Sequence, residues 1–199
     1  MKSRNCYLFV FDGFADWEPS LLTTGLNQHT EVKVITFSAD GEPVVSMGGL
    51  KVVPDLSLKD VSSMDINVLV LPGGTAWDTM ENSALVELIN SVGKRGGILA
   101  AICGATVFLG RSGYLNGVKH TSNHLYFLKK SGSKYQGEDW YVNKPCVTDR
   151  KIITANGTAF VDFARAVFAS LKVLKGNENL NTWLNFFPGS VMPNVSLEA

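Results

Sequence analysis

Cys103 has the surroundings of a nucleophile. It separates an apolar run at residues 98–102 (ILAAI) from a short helical stretch that takes up Val107, Phe108 and Leu109, and the residues after it, Gly104 and Ala105, are small. A strand ending and a helix starting at one residue push its side chain out at the carboxyl edge of a parallel sheet, where open α/β sheets keep their sites. The sulfur then sits at a helix N-terminus, whose unpaired N–H groups and positive dipole end favour a thiolate. The turn is that of a nucleophile elbow, although the G-x-S-x-G form is absent. A small buried hydrophobe is the competing reading, and spacing alone leaves both open. The Pro72-Gly73-Gly74 loop tips the balance. It leaves a neighbouring apolar run, residues 68–71, and its glycines let a backbone N–H approach a bound oxygen. The N–H groups of Gly74 and Gly104 together form a candidate oxyanion hole.

The elements that must position these groups alternate. Residues 6–11 (CYLFVF) read as a first strand, and a helix begins near Glu18, with Pro19 where its missing N–H costs nothing. Residues 31–37 form the second strand. Residues 44–46 and 50–53 flank Gly48-Gly49 and predict a hairpin or paired edge strands, the first non-parallel piece. Residues 68–71 and 98–102 are continuously apolar, as strands buried on both faces must be. Between them Asn82 is placed to cap a helix with Leu85, Val86 and Ile89 inward. A helical stretch runs to about Lys130. Residues 146–148 and 152–154 pair across Asp149-Arg150, and Thr158 is placed to cap a helix carrying Phe160, Val161, Ala164, Val167, Phe168 and Leu171. This order predicts an α/β three-layer sandwich, a mostly parallel sheet covered by helices on both faces, over residues 1–174. Residues 175–199 form a C-terminal helical appendage, with Leu180, Trp183, Leu184 and Phe187 on one stripe that needs a cover.

Four segments occur together in an order and spacing that resembles the ThiJ/PfpI family: residues 9–18 (FVFDGFADWE), 69–74 (LVLPGG), 100–105 (AAICGA) and 153–158 (ITANGT). The resemblance covers residues 5 to about 174. It implies a flavodoxin-like fold related to class I glutamine amidotransferase domains, often in homodimers, with Cys103 as the elbow cysteine and Glu18 as its acidic partner. Glu18 has a physical rationale as well. A carboxyl beside a thiolate in a partly buried cleft is driven toward its protonated form and then donates a hydrogen bond to sulfur. An acid placed for the helix dipole is the alternative.

One departure bears on function. Family members assigned as peptidases often carry His directly after the cysteine, where this chain has Gly104. A substitute base comes from His124 or His120, in the segment where other members hold a histidine near the site. Asn123 or His124 falls closest to that place, and Thr121, Ser122 and Asn123 offer polar contacts. Surface or helix-capping histidines are the alternative, favoured for His120. Trp17, Trp77 and Phe14 flank the site loops and are candidates to wall a small pocket, although such aromatics also serve as core. His120 and His124 have no acidic or thiolate third ligand nearby in sequence, so neither a metal nor another cofactor is expected.

Composition bounds the partners. The 199 residues suit one domain, with 45% hydrophobic residues to fill its core. Lys+Arg and Asp+Glu number 18 each and form no basic block, which argues against nucleic acid. No run is long enough to span a bilayer, and the N-terminus lacks a cleavage site, so no membrane partner is expected. Three widely spaced cysteines suit a reducing, cytoplasmic setting. The expected function is cysteine-dependent chemistry on a small-molecule substrate: Cys103 attacks a carbonyl or amide, and His124 shuttles a proton. The resemblance extends this to peptidase- or amidotransferase-like hydrolysis and to rearrangement of α-oxoaldehydes. A rival class is a non-enzymatic redox sensor or chaperone-like stress protein whose Cys103 is oxidised to sulfinic acid beside Glu18.

Overall fold

The computed structural model describes residues 4–79 and 83–189. The chain forms β1 (Asn5–Phe9), α1 (Trp17–His29), β2 (Lys33–Ser38), β3 (Val44–Val45), β4 (Lys51–Val52), β5 (Leu56–Ser57) and β6 (Val68–Leu71). It continues with α2 (Ser83–Lys94), β7 (Ile98–Ile102), α3 (Gly104–Arg111), α4 (Leu125–Lys130), β8 (Cys146–Asp149), β9 (Ile152–Ala155), α5 (Phe160–Ser170) and α6 (Glu178–Leu184). Seven strands make one sheet in the order β5-β2-β1-β6-β7-β9-β8. Every pairing in it is parallel except β8 with β9. This is the α/β sandwich that the alternation predicts, and the flavodoxin-like fold that the family resemblance implies. β6 and β7 are buried at every position, which requires cover on both faces. Helices α1, α5 and α6 pack together, while α3 packs with α4 and, like α2, on β7.

Register decides where the site forms. Leu71 pairs with Ala101, and Ile102 pairs with Ala155. The residues that follow, Pro72-Gly73-Gly74, Cys103 and Asn156-Gly157, therefore leave the sheet side by side at one edge. β3 and β4 pair antiparallel as a separate ribbon, the hairpin expected across Gly48-Gly49. The ribbon ties down the loop before α1, because Asp12 Oδ1 accepts from the Val45 N–H at 2.8 Å and the Met47 N–H donates to the Phe14 carbonyl at 2.8 Å.

Some local expectations need correction. Thr158 does not cap α5; the N-cap is Ala159, and the Thr158 N–H and hydroxyl both donate to Asn156 Oδ1. In α2 the buried positions are Leu85, Leu88, Ile89 and Val92, with Val86 only half-buried, and the Asn82 cap lies outside the described residues. β5 carries no apolar run that would announce it. The apolar stripe of α6 is covered by its own chain: Leu180 and Leu184 are buried, the Trp183 ring lies 5.2 Å from that of His29, and Arg165 donates to the carbonyls of Leu184 and Phe187.

Candidate active site

Cys103 is the N-cap of α3 with φ 57° and ψ −128°, a conformation that non-glycine residues rarely adopt and that persists only where neighbours fix it. Its N–H donates to the Ala155 carbonyl at 3.0 Å. Its own carbonyl accepts from the Thr106 hydroxyl at 2.6 Å, and that hydroxyl also meets Ser122 Oγ at 2.7 Å. The elbow is thus bolted to β9 on one side and to the segment before α4 on the other.

Glu18 lies in the first turn of α1 and is fully buried. Oε2 accepts from the Gly73 N–H. Among the described residues Oε1 has no partner at hydrogen-bond geometry, although carboxyl and thiol interact. With Oε2 committed as an acceptor, Oε1 is the oxygen left to carry a proton. Burial pushes this carboxyl up from 4.5 to about 7, against the pull of the Gly73 N–H and the thiol. Two glycines permit the approach of thiol and acid. A Cβ on Gly73 would stand 2.6 Å from Cys103 Cβ and 2.7 Å from Glu18 Oε2, and one on Gly157 would stand 2.9 Å from Sγ and 3.2 Å from Oε1.

Asn123 completes the surroundings of the sulfur. Its Oδ1 accepts from the Gly157 N–H at 2.8 Å, which orients the amide so that Nδ2 donates to Sγ at 3.2 Å. The segment that carries it is held by the Thr121 N–H, which donates to Thr154 Oγ1 at 2.9 Å. Burial, and then the Glu18 carboxylate, push the thiol up from 9.0 to about 11, while Asn123 and the Gly104 N–H pull it back. Burial thus opposes the thiolate that the helix N-terminus favours. Between about 7 and about 11 the pair holds one proton, which can sit on sulfur or on carboxyl.

The remaining candidates separate. His124 caps α4, with Nδ1 accepting from the Tyr126 N–H at 3.1 Å, and the structure does not place it on the wall of the cavity at Cys103. His120 is fully buried between Tyr135 and Tyr141, its ring nitrogens bonded to the Val118 carbonyl and the Tyr135 hydroxyl. Burial lowers its pKa. It is neither a surface nor a capping residue, and its ring holds the core together. Trp77 is also core, stacked among Phe9, Phe11 and Phe108, with Nε1 donating to the Pro72 carbonyl at 2.6 Å. Trp17 does wall the cavity, and Gly74, Gly104 and Asn123 line it too. The cavity has a volume of about 440 Å³. The sequence marked Gly73 within the Pro72-Gly73-Gly74 loop and Gly157 within the segment 153–158, but not that both make room for the thiol and the acid.

A doubly wound sheet with a strained cysteine at a strand–helix elbow, backed by a buried acid, defines the class. The chain belongs to the DJ-1/PfpI family, whose model matches residues 4–170. It is 35% identical over 190 residues to a Bacillus subtilis protein called an uncharacterized protease, YoaZ, covering 92% of this chain and 90% of that protein. It is 28% identical to a Caenorhabditis elegans protein named a glutathione-independent glyoxalase, DJR-1.2, covering 77% of this chain and 79% of that one. A DJ-1 superfamily protein of Agrobacterium tumefaciens superposes with a TM-score of 0.85 at 36% identity, covering 92% of this chain and 97% of the other.

Proposed function

We propose that the protein is a cysteine-dependent enzyme that converts small α-oxoaldehydes to 2-hydroxy acids. The observation that carries this reading is the fully buried Glu18 carboxyl, held near 7 against the Cys103 sulfur at the base of a cavity of small-molecule size. Cys103 Sγ adds to the aldehyde carbon while the thiol proton passes to Glu18, giving a hemithioacetal. The N–H groups of Gly74 and Gly104 face the oxygen that gains charge. Glu18, having returned that proton to the oxygen, takes the proton from the former aldehyde carbon, whose C–H electron pair forms the double bond of an enediolate, and delivers it to the adjacent carbon, while the hydroxyl proton passes from the first oxygen to the second. The first carbon is thereby oxidised to a thioester and the second reduced to an alcohol, so no outside oxidant enters. Water then cleaves the thioester, releasing the 2-hydroxy acid and restoring the thiol. A group that both accepts and returns a proton works best with a pKa near the operating pH, as Glu18 has.

The C. elegans relative, named a glutathione-independent glyoxalase, supports the same chemistry. Against a peptidase stands the leaving group: amide cleavage requires a proton delivered to nitrogen, and the residue after the cysteine is Gly104. The family resemblance adds a two-fold homodimer to the proposal, which light scattering checks. The activity test is methylglyoxal without glutathione. Lactate should form, disappear in Cys103→Ala, and fall by about a hundredfold in Glu18→Gln. Lactate formation that survives Cys103→Ala overturns the proposal, as does steady casein cleavage without turnover of any α-oxoaldehyde.

A further inference from the structure

The Gly104 N–H takes its direction from the peptide unit it shares with Cys103. In a planar trans peptide the carbonyl and the N–H point to opposite sides, so whatever holds the Cys103 carbonyl also aims the Gly104 N–H. That carbonyl accepts from the Thr106 N–H at 3.1 Å and from the Thr106 hydroxyl at 2.6 Å. A hydroxyl has one proton to give. Thr106 gives its proton to the Cys103 carbonyl, so in the 2.7 Å contact between Thr106 Oγ1 and Ser122 Oγ the serine is the donor. The chain of bonds therefore runs one way, from Ser122 through Thr106 to the Cys103 carbonyl. Thr106 and Ser122 are both fully buried, so bulk water does not compete for either hydroxyl. The neighbours of Ser122 fix it in turn. The Thr121 N–H and hydroxyl donate to Thr154 Oγ1 at 2.9 Å and to the Lys144 carbonyl at 2.8 Å, and Asn123 is bonded to the Gly157 N–H.

We infer that Thr106 and Ser122 are positioning residues: their hydroxyls lock the Cys103–Gly104 peptide so that the Gly104 N–H faces the oxygen that gains charge when Cys103 attacks a carbonyl. The backbone needs such a lock. Cys103 sits at φ 57° and ψ −128°, and rotation of this peptide would relieve the strain while turning the N–H away from the cavity. The Thr106 N–H restrains the carbonyl once, the hydroxyl restrains it a second time, and a proton donated by Ser122 polarises that hydroxyl and strengthens its hold. The Gly74 loop lies against the same peptide, since a Cβ on Gly104 would stand 2.9 Å from the Gly74 carbonyl oxygen. Because Asn123 directly follows Ser122, the donor to sulfur and the donor to the oxyanion hang on one frame. The inference rests on the oxyanion role proposed above for Gly104, but not on which carbonyl compound is the substrate.

The test compares two reactions of Cys103 in the full chain, each followed at that residue by mass spectrometry well below the thermal transition of every variant. With para-nitrophenyl acetate the sulfur takes the acetyl group and nitrophenolate leaves, through an oxyanion; with iodoacetamide the sulfur displaces iodide at a saturated carbon, and no oxyanion forms. Both need the thiolate, so the ratio of acetylation to alkylation rates cancels its population and reports the oxyanion donors. Outright loss of one donor costs about 10²–10³-fold, and a misaimed donor should lower the ratio by about tenfold in Thr106→Val and about threefold in Ser122→Ala. Thr106→Ser, which keeps the hydroxyl, should hold the ratio within about twofold of wild type. A ratio unchanged in both Thr106→Val and Ser122→Ala overturns the inference, as does a fall that Thr106→Ser shares in full. Methylglyoxal separates the two claims. If the ratio shifts as expected while the wild type forms no lactate, the positioning role stands and the α-oxoaldehyde reaction falls; lactate formation with an unchanged ratio does the reverse.

Discussion

Replacing Glu18 by Gln keeps the shape and the acceptor for the Gly73 N–H but removes the ionisation. A carboxyl held at about 7 rather than 4.5 in the folded chain disfavours its charged folded form by about 3 kcal/mol. The sign follows from proton binding. Because the folded pKa is the raised one, the contribution of Glu18 to stability is fully present below pH 4.5 and is lost as pH rises through about 7. Wild-type stability should therefore decline over this interval relative to Glu18→Gln, which has nothing to titrate there. For a chain of this size about 3 kcal/mol corresponds to a difference of about 6–12 °C in Tm. Thermal unfolding of both proteins at pH 4.5 and pH 8, read as the change in their Tm gap, cancels every other titrating group. Parallel curves across this range would mean that Glu18 has an ordinary carboxyl pKa and that the site is wetter than described.

Other variants probe the neighbours. Asn123→Ala removes the Nδ2 donor to Sγ and frees the Gly157 N–H, so Cys103 alkylation near pH 8 should slow by about fivefold; an unchanged rate would leave Asn123 without a role at sulfur. Limiting iodoacetamide with mass spectrometry should label Cys103 before Cys6 and Cys146, because burial pushes those two to about 12. Leu180→Ala should cost about 2–4 kcal/mol in urea unfolding without changing the oligomeric state, since Leu180 is buried against its own chain. Dissociation of a dimer by this change would move α6 to an interface.

The elbow was legible because it is local. A continuous apolar run, a cysteine and two small residues specify strand, sharp turn and helix within ten or so positions. The hairpin across Gly48-Gly49 and the order of parallel strands were legible for the same reason. What escaped depends on contacts between distant segments. His120 and His124 look alike in sequence, yet one fills a cavity between two tyrosines and the other caps a helix. Trp77 sits beside a site loop in the chain but points into the aromatic cluster beneath it. Gly73 and Gly157 matter through what a Cβ would strike, namely a thiol and an acid brought from other parts of the chain. The state of the thiol is only half legible, because a helix N-terminus can be read along the chain, whereas desolvation depends on what covers the sulfur. The stripe on α6 was legible as needing cover, but part of its cover, α1 with the His29 ring, comes from the other end of the chain.

The shared proton between Glu18 and Cys103 is tested most directly by the rate of Cys103 alkylation by iodoacetamide as a function of pH, followed residue by residue by mass spectrometry. Below about 7 the pair holds two protons and no thiolate; above it, the tautomer with acid and thiolate is a fixed fraction until the second proton leaves near 11. The rate should rise through pH 7 and level off, and Glu18→Gln should abolish that step. A wild-type rate that climbs only toward pH 11, or a profile that Glu18→Gln leaves unchanged, would contradict the shared proton and the catalytic role built on it.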